Sequence, residues 1–192
     1  MIETERLEIR RFQEDDRRDL YQYLSLPEIY TFEPGEPITE TQARELAAQR
    51  SCSDDFYAVV LKSENKMIGH LYFHRTEPEE FRTWELGYIF NPAYQNMGYC
   101  TEASRRIIRY GFQELGAHRI TAYCNPLNIA SLRVLEKAGM IREGVFRKQG
   151  FFRKDAEGRP IWHDTYAYGI LEEDFRSASG SASDGQERSM IS

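Results

Sequence analysis

The chain has 192 residues, a length that suits one domain with a substantial buried core. Its net charge of −6 argues against a nucleic-acid binder that depends on a basic surface, and would suit a cationic partner. The three cysteines form no C-x-x-C pair, and no apolar run approaches the roughly 20 residues that span a bilayer. These features predict a cytoplasmic protein without a membrane partner.

The first part of the chain alternates between a strand, helices and a loop. Residues 5–12 alternate apolar and charged side chains, the pattern of a half-buried strand, and a helix is expected over 13–25. Residues 25–37 contain three prolines and are predicted to form an irregular loop, a kind of segment that often lines sites. Thr39 and Gln42 form a capping-box pattern, which predicts that a second helix begins there.

The rest of the chain changes first to a period of two and then alternates helices with strands. Strands are predicted over 56–62, 67–74, 83–90, 118–124, 142–152 and 161–171, and helices over 98–115 and 128–139. Strands 83–90 and 118–124, with the helix between them, have the order of a right-handed parallel crossover. The prediction is a single α/β domain over 1–173, followed by a Ser/Gly-rich tail over 174–192 that is expected to be disordered.

A glycine opens the predicted helix 98–115. At a helix start, glycine allows backbone N–H groups to come close to a bulky anion. A P-loop would require a lysine after the glycine, and "GYCTEA" has one of the three glycines of a dinucleotide fingerprint. Both common phosphate motifs therefore fail, and a helix start without a ligand is an open alternative.

The segment "NPAYQNMGYCTEA" resembles the acyl-CoA-binding loop of the GCN5-related N-acetyltransferase (GNAT) superfamily, Gln/Arg-x-x-Gly-x-Gly/Ala. Gln95, Gly98 and Cys100 occupy the marked positions, and Cys100 departs from the usual Gly or Ala. Four segments resemble the ribosomal-protein alanine N-acetyltransferase (RimJ/RimL-like) group in the same order: "IETERLEIRRFQEDD", "ELGYIF", "NPLNIASLRVLEKAGMIREG" and "WHDTYAYGIL". The resemblance implies the GNAT fold, with a mixed, mostly antiparallel sheet, a splayed parallel strand pair and about four flanking helices.

The resemblance also implies a binding site for acetyl-CoA and no metal. The residues expected to bind the co-substrate are Tyr88, Ile89 and Phe90 for the pantetheine arm, Gln95, Asn96, Met97, Gly98, Tyr99, Cys100 and Thr101 around the pyrophosphate, and Asn128 and Ser131 in a second segment. His70 and His74 do not suggest a metal site, because residues four apart on a strand lie roughly 13 Å from each other.

Acetyl transfer to an amine requires a base for the ammonium proton and benefits from a proton donor for the leaving thiolate. Glu85, on the predicted strand 83–90, is the candidate base, and the alternative is a surface glutamate paired with an arginine. Many family members carry a tyrosine donor where this chain has Leu135, and the resemblance suggests Ser131 instead. The alternative role for Ser131 is a hydroxyl that bonds the backbone at a helix start. The resemblance implies a backbone N–H near Ile89 as the oxyanion donor.

The predicted function is acetyl-CoA-dependent N-acetylation of a primary amine by direct attack in a ternary complex. The expected acceptor is a small amine or a protein N-terminus, for instance a basic one, and a homodimer is one expectation because relatives often dimerise. A CoA-binding module without catalysis is the alternative. His163 is interpreted as structural or as part of the acceptor mouth. Five aromatic residues could form an acceptor pocket or belong to the core: Tyr30, Phe32, Phe73, Trp84 and Trp162.

Overall fold

The computed structural model describes residues 2–177, and a single eight-stranded sheet runs through this part of the chain. The strands are β1 (Ile2–Glu3), β2 (Leu7–Arg11), β3 (Phe56–Leu61), β4 (Lys66–Arg75), β5 (Thr83–Phe90), β6 (Arg119–Cys124), β7 (Ile141–Gly150) and β8 (His163–Leu171). The α-helices are α1 (Arg17–Leu24), α2 (Glu40–Ser51), α3 (Tyr99–Gln113) and α4 (Ile129–Lys137). Every predicted strand and helix is present, whereas β1 was not predicted because two residues are too few to show a period.

The sheet has the order β1-β2-β3-β4-β5-β6-β8-β7, and only its central pair is parallel. The pairing of β5 with β6 covers three residue pairs and ends at Glu85 and Thr121. Beyond that point β5 continues along β4 as far as Phe90, while β6 continues along β8 as far as Cys124. The two central strands therefore separate, and the predicted mixed sheet with a splayed parallel pair is confirmed.

Each face of the sheet carries a hydrophobic core and a pair of helices. Helices α3 and α4 cover one core, which includes Ile107 and Leu135, and α1 and α2 cover the other, which includes Leu20. Gly111 brings α3 close to the sheet, since a Cβ atom there would lie 2.8 Å from the Phe73 ring. This close approach lets the C-terminal half of α3 pack directly against the β4 side chain of Phe73.

Side-chain caps set the starts of two helices. Thr39 and Gln42 form the predicted capping box at the start of α2, with the Gln42 N–H 3.3 Å from Thr39 Oγ1. The Asn128 carboxamide oxygen accepts the Ser131 N–H at 3.1 Å at the start of α4. These bonds satisfy N–H groups that have no partner within a helix.

The two segments that were predicted to be irregular contain some helix. A 3-10 turn, Pro27–Thr31, interrupts the loop over 25–37. At the other end, residues 172–177 are helical, so the tail predicted from 174 begins within a helical segment, and 178–192 lie outside the described residues. In the part of the chain that the structure describes, no helix is long and apolar enough to cross a membrane.

Candidate active site

The start of α3 has the backbone geometry that its glycine predicted. Gly98 precedes the first helical residue with φ +83°, and Asn96 is also left-handed with φ +61°. This conformation strains residues that carry a Cβ atom, which explains the glycine. The N–H groups of the first turn, from Tyr99 to Thr101, have no partner within the helix and carry the positive end of its dipole.

Arg6, just before β2, holds this loop in place. Its guanidinium donates to the Met97 carbonyl at 3.1 Å and lies 4.4 Å from the centre of the Tyr99 ring. It also forms an ion pair with Glu102 at 2.6 Å. Burial opposes ionisation of Glu102, but hydrogen bonds from Thr4 and Arg6 outweigh it and lower the pKa of this carboxyl. The loop is therefore fixed by residues nearly a hundred positions away in the sequence.

A cavity of about 440 Å³ opens beside the start of α3, and we call it the basic cavity. It is lined by Arg6, Gly98, Thr101, Glu102, Arg105, Arg106, Arg109 and Lys137. Five cationic side chains thus face one carboxylate, in a chain whose net charge is −6. Nη1 of Arg106 is buried and has no hydrogen-bond partner among the described residues. The cavity is therefore suited to a ligand with several negative charges, such as the phosphates of CoA.

Tyr88 and Ser131 meet at the cleft where β5 and β6 separate. The Tyr88 hydroxyl lies 2.8 Å from Ser131 Oγ and 3.2 Å from the Ser131 carbonyl oxygen. Burial raises the pKa of Tyr88 well above its ordinary value, so the phenol keeps its proton at neutral pH. Two hydroxyl groups therefore form a hydrogen-bonded pair in the cleft.

A second cavity, of about 330 Å³, is lined in part by Ser131, and we call it the cleft cavity. Its lining consists of Phe32, Glu33, Tyr123, Cys124, Asn125, Asn128, Ser131, Gln149, Gly150, Phe152, His163 and Thr165. Glu33 is its one carboxylate, and burial raises the pKa of Glu33 to about 7. Nε2 of His163 is buried without a hydrogen-bond partner among residues 2–177. The cleft cavity thus combines aromatic walls with amide, hydroxyl and imidazole groups and a single carboxyl group.

Two cysteines lie at the site, and neither has the properties of a nucleophile. Burial raises the pKa of the Cys100 thiol far above its ordinary value, and burial also raises that of Cys124, which lines the cleft cavity. A thiol is nucleophilic as its thiolate, which these surroundings disfavour. The site is therefore poorly suited to a covalent acyl-cysteine intermediate.

The predicted cofactor residues fall into several surroundings. Gly98 and Thr101 line the basic cavity, whereas Asn128 and Ser131 line the cleft cavity. The others line neither cavity: Tyr88 reaches Ser131, Ile89 packs against the second core, Phe90 is buried in the first, Gln95 donates to the Phe90 carbonyl at 3.4 Å, and Met97 is exposed.

The predicted base lies away from both cavities. Glu85 is half-buried on β5, opposite His74 of β4 in the register, and it lines neither the basic nor the cleft cavity. Its neighbour Trp84 is buried in the first core. The assignment of Glu85 as the base stays a prediction.

Of the five aromatic residues considered for an acceptor pocket, Phe32 lines the cleft cavity. Tyr30 belongs to the second core and Phe73, like Trp84, to the first, while Trp162 is exposed and contacts Phe151. His70 is buried, and its Nδ1 lies 2.6 Å from the Tyr23 hydroxyl. Burial disfavours the charged imidazole and therefore lowers the pKa of His70 well below its ordinary value. Its position is that of a structural core residue.

Sequence reasoning missed the cationic residues of the basic cavity and Glu33. Arg105 and Arg109 stand four residues apart on α3, a spacing that places them on one face and could have indicated the cavity. Lys137 comes from the end of α4 and Arg6 from the start of β2, so only the fold brings them there. Glu33 lies in the irregular loop, where no periodicity indicates which side chains face inward.

Comparisons with known proteins agree on the family. The family model described as "Acetyltransferase (GNAT) domain" matches residues 6–141. An uncharacterised N-acetyltransferase of Bacillus subtilis, YnaD, is 39% identical over 175 residues, covering 91% of this chain and 98% of that protein. The crystal structure of a GNAT-family acetyltransferase from Bacillus anthracis has a TM-score of 0.80 at 38% identity, covering 90% of this chain and 98% of the other.

A more distant structure has the same fold. It is the spermidine N-acetyltransferase of Vibrio cholerae in complex with CoA and spermine, with a TM-score of 0.74 at 20% identity. The match covers 90% of this chain and 99% of that one. At this identity the likeness concerns the fold alone.

Proposed function

The chain belongs to the GNAT acetyltransferase family and is an N-acetyltransferase, and from this premise we propose that acetyl-CoA is its donor and a primary amine its acceptor. The acetyl group would pass directly from one to the other in a ternary complex. The observation that carries this proposal is the presence of two cavities, a strongly basic one beside the start of α3 and one lined by Ser131 with a single carboxyl group.

The basic cavity supports the donor assignment. CoA carries several phosphate charges, and the arginines and the lysine of the cavity would bind them together with the free N–H groups at the start of α3. Gly98 permits a phosphate oxygen to approach the backbone closely.

The cleft between β5 and β6 supports the path of the pantetheine arm. Since β6 no longer pairs with β5 beyond Glu85, the edge of residues 86–90 that faces the cleft has no strand to bond with. We propose that backbone groups of this edge hold the arm, as the family resemblance implies, and that an N–H near Ile89 stabilises the oxyanion. The acetyl group would then lie near Ser131.

Ser131 is proposed as the proton donor to the departing thiolate. Its hydroxyl is held by Tyr88 at 2.8 Å, and Leu135, where many relatives carry a tyrosine donor, is fully buried in the first core. The buried, protonated thiols of Cys100 and Cys124 favour direct attack over an acyl-enzyme. Glu85 is the residue that the sequence analysis predicts as the base for the ammonium proton.

The acceptor class is proposed from the family and the cavity. The RimJ/RimL-like sequence resemblance suggests a protein N-terminus, and the size of the cleft cavity, about 330 Å³, also admits a small amine. A homodimer remains a prediction from the resemblance.

The proposal is tested by thiol release. The purified chain is mixed with acetyl-CoA and, in turn, an alanine-initiated peptide amide, glucosamine and spermidine, and free CoA is measured with a thiol reagent. Release that requires both the protein and an amine supports the proposed function. If calorimetry detects acetyl-CoA binding but none of the amines gives thiol release, the chain is better described as a CoA-binding module.

A further inference from the structure

We propose that Glu33 is the carboxylate that binds the ammonium group of the acceptor and takes its first proton. The inference rests on the proposed function, because it assumes an amine acceptor in the cleft cavity. It assigns to Glu33 the step that sequence reasoning gave to Glu85, and it also limits the kind of amine that the site accepts.

The position of Glu33 is fixed by the loop that carries it. Glu33 follows the 3-10 turn Pro27–Thr31, and its side chain lines the cleft cavity together with Ser131. The turn is anchored at Tyr30, whose hydroxyl donates to the Leu24 carbonyl at 2.8 Å. The Tyr30 carbonyl accepts a hydrogen bond from Arg153 at 2.9 Å. The carboxylate and the proposed proton donor therefore line the same space on well-held backbone.

Glu33 has no counter-charge in the described structure. Within residues 2–177 its carboxylate has neither a hydrogen-bond donor nor an ion-pair partner. The residues that line the cleft cavity include no lysine or arginine. A half-buried carboxylate without a partner is costly, and a cation that enters the cavity would remove this cost. The ammonium group of an acceptor is the cation that the proposed reaction supplies.

The groups that face Glu33 leave it suited to proton transfer. Tyr88 of β5 and Cys124 of β6 interact with it electrostatically, and His163 of β8 and Tyr123 of β6 share its cavity. Burial raises the pKa of Glu33 to about 7, so its carboxylate and carboxylic acid forms coexist near neutral pH. A general base is most effective when its pKa lies near the working pH.

The proposed step removes two protons from the acceptor nitrogen and transfers one acetyl group to it. The ammonium gives its first proton to the Glu33 carboxylate, and the nitrogen lone pair then forms a bond to the carbonyl carbon of the thioester. When the tetrahedral adduct collapses, the C–S bond breaks and Ser131 gives its hydroxyl proton to the sulfur. Ser131 recovers a proton from the nitrogen, which becomes the amide, and Glu33 releases its proton to solvent.

The same lining limits the acceptor. One carboxylate matches one ammonium group, and the lining also offers the uncharged amides of Asn125 and Gln149. An amine with a carboxylate beside it would find no lysine or arginine among the residues described for this cavity. We therefore infer that the acceptor has a single amino group on a neutral body, as in a peptide N-terminus, and that a free amino acid is disfavoured.

The experiment compares alaninamide with alanine, two amines that differ in the charge beside the amino group. Thiol release is measured for the parent, Glu33→Gln, Glu33→Asp and Glu85→Gln, with the exposed Glu36→Gln from the same loop as control. We expect the parent to prefer alaninamide by at least tenfold in kcat/KM. Glu33→Gln should lower kcat/KM roughly 10²-fold at pH 7, Glu33→Asp should restore part of it, and Glu36→Gln should match the parent. CoA affinity, measured by calorimetry, should stay within about twofold in all variants.

Each outcome of this experiment either supports or overturns the role of Glu33. A loss in Glu33→Gln with unchanged CoA affinity, and with the limb near pH 7 absent from its pH profile, supports the inference. It is overturned if Glu33→Gln equals the parent, if the large loss follows Glu85→Gln alone, or if CoA affinity falls in parallel with activity. Equal use of alanine and alaninamide overturns the assignment of acceptor class. A parent that releases no thiol with any amine refutes the proposed function itself, and the inference with it.

Discussion

Glu33→Gln should make the protein more stable at alkaline pH while leaving its stability unchanged in acid. The pKa of Glu33 is raised from an ordinary value of 4.5 to about 7 by burial. Between these values the unfolded chain releases the proton whereas the folded chain keeps it, so the parent loses stability as pH rises from about 4.5 to about 7. Below this range the carboxyl is protonated in both states, and above it the loss is complete.

The size of the effect follows from the same shift. The interval from 4.5 to about 7 corresponds to a ceiling of about 3 kcal/mol. Glu33 is half-buried, so solvent screening reduces the expected gain of Glu33→Gln to about 1–2 kcal/mol at pH 8. Glutamine has the same shape and no titrating proton, so the gain should vanish at pH 4.

The assay is urea unfolding of the parent, Glu33→Gln and the control Glu36→Gln at pH 4, 6, 7 and 8. The difference in unfolding free energy between Glu33→Gln and the parent should grow with pH and then level off. A constant difference at all pH values would refute the reasoning, as would a parent that is more stable than the variant at pH 8. The second result would mean that the carboxylate has a cationic partner in the folded protein.

Three further predictions concern the donor side. Gly98→Val should weaken acetyl-CoA binding at least tenfold by calorimetry, whereas Gly116→Val, equally left-handed but with open space around it, should not. Unchanged affinity in Gly98→Val would exclude close phosphate approach. Ser131→Ala and Tyr88→Phe should each lower kcat at least tenfold while CoA affinity stays within a few-fold, and equal activity would leave Ser131 a structural role. Arg109→Ala should weaken CoA binding several-fold with a reduced salt dependence, and the exposed Arg44→Ala should have no effect.

The elements of this fold could be predicted because each has a local cause. The strand period of two, the capping pair Thr39–Gln42 and the glycine before α3 all act within a few residues, and the structure has them where the sequence placed them. The short β1 and the helical residues 172–177 were missed, since neither carries a clear period. Residues 172–177 instead gain a tertiary contact, because the Phe175 ring stacks on Phe112 at 5.2 Å.

The site could be predicted only where a motif is contiguous. Gly98, Asn128 and Ser131 belong to short family segments, and they line the two cavities. The cations of the basic cavity come from separate elements, and Glu33 comes from a loop whose inward face depends on the anchored Tyr30. Long-range placement of this kind leaves no pattern in a single sequence.

The separation of β5 from β6 has a consequence for how the protein could change over time. On the proposed donor side the ligand would meet, beside the cationic side chains of the basic cavity, main-chain groups and a helix end, which most side-chain replacements leave intact. On the acceptor side the walls consist of side chains from the loop after α1 and from β6, β7 and β8. Substitutions in that loop, β7 and β8 would alter the proposed acceptor pocket and leave the lining of the basic cavity unchanged, so the proposed acceptor preference could vary while donor binding is retained.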